Sequence, residues 1–160
     1  YEYIRNGTCC IFLAFEPRAG KRIVCVKERR TRVDYADFMK TLALRYPEAE
    51  TILLVQDNLN THTAGSFYEA LPPEEAFKLA RSFEFHFTPK KGSWLNMAEI
   101  ELSALSKQCL DRRIADLKIL KHEVSAWENK RNSIGATVRW QFKKDNARDK
   151  LQRHYQKLQN

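Results

Sequence analysis

None of the four cysteines, Cys9, Cys10, Cys25 and Cys109, forms a C-x-x-C pair, and two of them sit inside an apolar run. That argues against a cysteine-based zinc site and for reduced, buried thiols in a cytosolic protein. No apolar run approaches the roughly 18–20 residues that a membrane-spanning helix needs, so no membrane partner is expected. There is no internal repeat, no low-complexity tract and no obvious linker, which leaves a single domain over 1–160. The opening "YEYIRNGT" lacks both a signal-peptide pattern and a Met, so the chain is expected to be a fragment, a processed product or the output of a truncated gene.

What is present is the composition of a folded domain, 43% hydrophobic and 30% charged. The formal net charge of +8 is unevenly placed. Residues 1–80 carry 11 Lys/Arg and 11 Asp/Glu, whereas residues 81–160 carry 17 and 9. Within 130–160, nine bases face two acids, which suggests a polyanion partner unless that end is only a solvated basic helix.

Periodicity outlines the elements. "TCCIFLAF" (8–15) and "KRIVCVKE" (21–28), separated by "EPRAG", read as a β-hairpin. Thr31 with Asp34 three residues on has the form of a helix start, and Tyr35, Phe38, Met39, Leu42 and Tyr46 then share one helical face as far as Pro47. "TILLV" (51–55), apolar on both faces, predicts a parallel strand buried on both sides. Helices are expected near 64–70 and 73–82, and "FEFHF" (83–87) alternates as a half-buried strand. A helix over about 93–109 is predicted from Leu95, Ala98, Leu102, Leu105 and Cys109, another over about 116–131, an extended stretch at 137–142, and a last basic helix at about 144–158. Hairpin, helix, strand, helices, strand and helix imply a mixed α/β sheet flanked by helices.

Two carboxylates stand out. Asp57 ends the most apolar strand, where functional residues of α/β sheets gather, although an Asp there can also cap a turn. Glu99 lies about 100° round the helix from the stripe residue Ala98 and can lean over a sheet edge, unless it is only solvated. Glu101 is about 200° round from Glu99, so the two cannot share a site. Carboxylates converging from a strand end and a helix can hold a divalent cation that keeps waters for phosphate oxygens. Two such ions about 3.5–4 Å apart can activate water and stabilise the leaving oxygen of a phosphodiester.

"VQDNLNTHT" followed by "FHFTPKKGSWLNMAEIELS" resembles the catalytic core of bacterial insertion-sequence transposases of the mariner-type DDE superfamily. Asp57, Asn58, His62, Thr88, Pro89, Trp94, Leu95, Asn96 and Glu99 occupy the places of the family pattern. The resemblance implies a ribonuclease H-like fold, with Asp57 and Glu99 as two members of an acidic triad. The triad binds two Mg²⁺ or Mn²⁺ ions for strand cleavage and transfer at transposon ends. DNA, as transposon ends and target, is the implied partner, with a homodimer allowed. Asn58 and His62 would order the loop or touch phosphate. Lys90, Lys91, Trp94 and Asn96 would line the DNA path, and Lys150 and Arg153 would add phosphate contacts from the basic end. Trp94 can instead be core packing at a helix start.

The family's first aspartate sits on a strand ahead of the hairpin, between it and the Asp57 strand in the sheet. Glu2, the one acid ahead of the hairpin in this sequence, is expected to lie too close to it to sit on such a strand. Two strand edges should therefore lie open, and the chain by itself should be inactive. The alternative reading is a non-catalytic nucleic-acid-binding remnant of a transposase.

Overall fold

The computed structural model describes residues 7–57, 59, 62–89, 92–139, 141, 143, 145, 146, 148, 149 and 152. Strands β1 (Cys10–Glu16) and β2 (Lys21–Lys27) form the antiparallel hairpin, in register from Cys10 opposite Lys27 to Glu16 opposite Lys21. Helix α1 (Arg32–Leu44) starts where the Thr31/Asp34 pattern places it. The Asp34 N–H donates to Thr31 Oγ1 at 3.1 Å, and the Thr31 N–H donates to Asp34 Oδ2 at 3.0 Å, a reciprocal cap of two otherwise orphaned donors. Strand β3 (Ile52–Gln56) pairs in parallel with β4 (Phe83–Phe87), and α2 (Gly65–Ala70) and α3 (Pro73–Arg81) make the crossover between them. Helices α4 (Ala98–Leu105) and α5 (Leu117–Ile134) follow.

The hairpin is buried on both faces because its side chains alternate between two cores. Phe12 and Ile23 join Tyr35, Phe38, Met39, Leu42, Phe67 and Phe83 under α1, α2 and α3. Val26 joins Leu105, Cys109, Val124 and Trp127 under α4 and α5, with Ile11, Leu13 and Val24 packed alongside. The turn of the hairpin also touches the end of α5. Gly20 and Gly135 both take a left-handed φ, of 64° and 62°, and a Cβ on Gly20 would come within 2.7 Å of the Gly135 carbonyl oxygen.

The class is the mixed α/β one expected, with small sheets flanked by helices. Among the described residues the strands form two separate pairs, β1–β2 and β3–β4. A cleft of about 630 Å³ lies between them, lined by all of β1, all of β3, α1 and the start of α4.

Two expectations change. β3 is not buried on both sides: Leu53 is 67% and Val55 53% exposed, because no described element covers the face they share with Glu84 and His86. The helix predicted over 93–109 breaks into a 3₁₀ turn (Ser93–Leu95), α4 and a π turn (Ser106–Leu110). Asn96 interrupts it with an extended ψ of 119°, and its Oδ1 accepts from the Ala98 N–H at 3.0 Å, a local bond that restarts the helix two residues on. The described residues of 137–142 belong to no regular element, and the helix expected at about 144–158 lies mostly outside the described residues.

Candidate active site

Asp57 follows the last residue of β3, and Glu99 lies in the first turn of α4. Both side chains line the cleft, with His62, Leu95 and Asn96. The Asp57 side chain is 45% exposed, and Glu99 is exposed as well. His62 Nδ1 stands 2.9 Å from Asp57 Oδ1. A carboxylate only accepts, so the imidazole Nδ1–H is the donor.

The loop that carries these groups is tied to α1. The last residue of β3, Gln56, is buried, and its amide is satisfied at both ends. Gln56 Oε1 accepts from the Tyr35 hydroxyl at 2.8 Å, and Nε2 donates to the His62 carbonyl at 2.9 Å. Burial pushes the Tyr35 phenol up to about 12; the Gln56 bond opposes that shift and the negative charge of Asp57 adds to it. The hydroxyl therefore stays protonated and donating at neutral pH. The Tyr35 ring stacks on the His62 ring at 4.7 Å between centroids and 21° between planes.

Glu101, two residues beyond Glu99, faces the opposite way. It is fully buried, with Arg22 Nε at 2.5 Å from Oε2 and Arg131 Nη2 at 3.0 Å from Oε1. The helical phase argument thus separates the two glutamates correctly: Glu101 is bound to the hairpin and α5, Glu99 is presented to the cleft.

The other sequence candidates are spread out. Trp94 sits in the 3₁₀ turn and is 39% exposed. Asn96 is engaged as the local cap of α4. Thr88 is buried, and its N–H continues the β3–β4 pairing by donating to the Gln56 carbonyl at 2.9 Å. Asn58, Lys90, Lys91, Lys150 and Arg153 lie outside the described residues. The residues missed in the sequence are Tyr35, Gln56, Arg22 and Arg131. A faint signal existed for one of them: Arg22 directly precedes the apolar run 23–26, and its partner Glu101 stands between Ile100 and Leu102.

The donor set suits a hard divalent cation, since Asp57 and Glu99 bring oxygen ligands to one partly solvated cleft. Among the described residues, no group of three or more His, Cys, Asp or Glu side chains converges as a complete metal cage. No described helix is long and apolar enough to cross a membrane. Compared with known proteins, residues 1–121 match a family model described as DDE superfamily endonuclease. No curated protein and no solved structure gives a significant match.

Proposed function

The chain belongs to the DDE superfamily endonucleases, and from that premise we propose that it is the catalytic domain of a bacterial, mariner-type insertion-sequence transposase, cutting and joining DNA strands at transposon ends. Its class is that of a transposase-type nuclease acting on DNA. The observation that carries the finer reading is the placement of Asp57 and Glu99, from different elements, on the same cleft.

Asp57 and Glu99 would hold Mg²⁺ or Mn²⁺, in keeping with the divalent metals that endonucleases of this superfamily generally use. Bound there, the ions would make water a strong nucleophile near neutral pH and stabilise the leaving oxygen. The chain's own part is to orient. His62 holds Asp57 Oδ1, which leaves the carboxylate's second oxygen to face a cation. The cap by Asn96 starts α4 so that Glu99 falls in its first turn. Asn58, Lys90, Lys91 and Trp94 would steady the phosphates and bases of the DNA strand.

The test is Mn²⁺ binding to the purified chain, followed by the loss of the free-ion resonance signal. Asp57→Ala and Glu99→Ala are each expected to weaken it at least about tenfold, or upward of about 1.4 kcal/mol. Glu84→Ala, which removes an exposed carboxylate paired with His86, should leave it unchanged. DNA binding without any such metal site would support the non-catalytic reading instead.

The basic end gives a second expected result. Lys143, Lys144, Arg148, Lys150, Arg153 and Lys157 can neutralise phosphates. Replacing Lys150, Arg153 and Lys157 with alanine should reduce the slope of log affinity against log salt by up to about 2.7. An unchanged slope would make that end a solvated surface only.

A further inference from the structure

Asp57 is the first residue after β3, at the point where the chain must turn, and a carboxylate on a bare loop would be poorly aimed. Here the turn is pinned from outside. The His62 N–H donates to the Leu59 carbonyl at 2.9 Å, and the His62 carbonyl is taken by Gln56 Nε2 at 2.9 Å. That carbonyl can only accept, so it fixes which way round the amide sits, and Gln56 Oε1 is left to accept from the Tyr35 hydroxyl at 2.8 Å. Tyr35, only 3% exposed, also gives the His62 ring a flat surface, and Phe12 flanks the ring at 6.3 Å between centroids.

The buried Nε2 of His62 has no hydrogen-bond partner among the described residues. The ring is therefore not oriented from that side. Its orientation comes from the stack on Tyr35, the pinned carbonyl and Asp57.

We propose that Tyr35 and Gln56 are positioning residues for the active site: through His62 they hold the Asp57 carboxylate in the orientation that presents it to the cation. This rests on the reading of Asp57 as a metal ligand. Their hydrogen bonds run to each other and to the His62 carbonyl, so they act on Asp57 through His62. Partners that orient a metal ligand in this way usually matter about 10–100-fold in metal affinity.

Tyr35→Phe keeps the stacking ring and removes one hydroxyl. Gln56→Met keeps the volume and removes both bonds. Tyr46→Phe is the matched control, because it removes a tyrosine hydroxyl bonded to Glu16 at 2.9 Å, at another part of the same cleft. Two readouts are taken on full chains verified as folded: Mn²⁺ affinity, and the ring nitrogen resonances of His62 without metal. Tyr35→Phe and Gln56→Met should each weaken Mn²⁺ about tenfold, while Tyr46→Phe stays within about twofold of the parent. In the parent, His62 should show one tautomer, protonated at Nδ1, and both variants should shift it toward a mixture. Equal Mn²⁺ affinities for Tyr35→Phe and Tyr46→Phe would overturn the proposal, and so would an unchanged His62 spectrum. Should Tyr35→Phe not fold, Gln56→Met decides by the same two readouts. Absence of Mn²⁺ binding by the parent would overturn the metal reading itself, and the ring spectrum then decides the positioning role alone.

Discussion

Replacing Glu101 with alanine is expected to destabilise the fold by about 3–5 kcal/mol, measured by urea unfolding. The glutamate is fully buried, and so is its partner Arg22, at 2% exposure. Arg22 already gives Nη1 to the Gly20 carbonyl at 2.6 Å and Nη2 to the Ala136 carbonyl, and its guanidinium stands over the Phe15 ring. Arginine cannot shed its charge, so truncating Glu101 leaves a cation in the interior without a counter-charge. The double variant Arg22→Met/Glu101→Leu should recover most of the loss, because it removes both charges and keeps volume. Recovery no better than the single variant would mean that the cluster acts by shape and not by charge.

The pH dependence follows from the same contacts. Burial pushes the Glu101 carboxyl up, but the bonds and charges of Arg22 and Arg131 outweigh it and hold the carboxyl below its ordinary 4.5. A depressed carboxyl contributes stability that is present above its ordinary value and is lost as pH falls through the depressed one. The gap between parent and Glu101→Ala should therefore be full at neutral pH and close on acidification below 4.5.

The second large effect concerns cleavage. The purified 160-residue chain is expected to bind Mn²⁺ and to leave transposon-end DNA uncut. Fixing two ions takes more carboxylate than Asp57 and Glu99 supply. The other described carboxylate on the cleft, Glu16, lies at the turn end of β1, four residues along from Phe12, which flanks His62. The edges of β1 and β3 that border the cleft offer backbone groups to an added strand. Supplying a segment with an aspartate on an apolar strand, of the kind the family carries ahead of the hairpin, should bring cleavage with it. Cleavage by the chain alone that vanishes in Asp57→Ala would sink this expectation. It would mean that Glu2 or a second chain provides the third carboxylate.

Much of the architecture was legible because it depends on short-range pattern. The 2-residue alternation of the hairpin, the Thr31/Asp34 cap and the face of Tyr35, Phe38, Met39 and Leu42 all come from residues near one another in the chain. The helix over 93–109 was misread because Leu95 and Ala98 keep helical spacing across Asn96, while a single backbone ψ breaks the run. Spacing of apolar side chains reports which face is buried, not whether every residue between them is helical.

The sequence by itself determined that Asp57 stands at a strand end and Glu99 on a helix, while the break at Asn96 seen in the structure puts Glu99 in that helix's first turn. Their family then follows from the motif that surrounds them. Only the tertiary structure decided what surrounds each carboxylate. It gave Glu101 to Arg22 and Arg131, and Asp57 to His62, with Tyr35 and Gln56 behind the ring. It also left Leu53 and Val55 in solvent, although their strand reads as buried. The reason is one of range. Helix phase and strand alternation are set by neighbours a few residues away. The partner of a buried charge, or the cover over a sheet face, comes from whichever distant element packs there, and local periodicity carries no record of it.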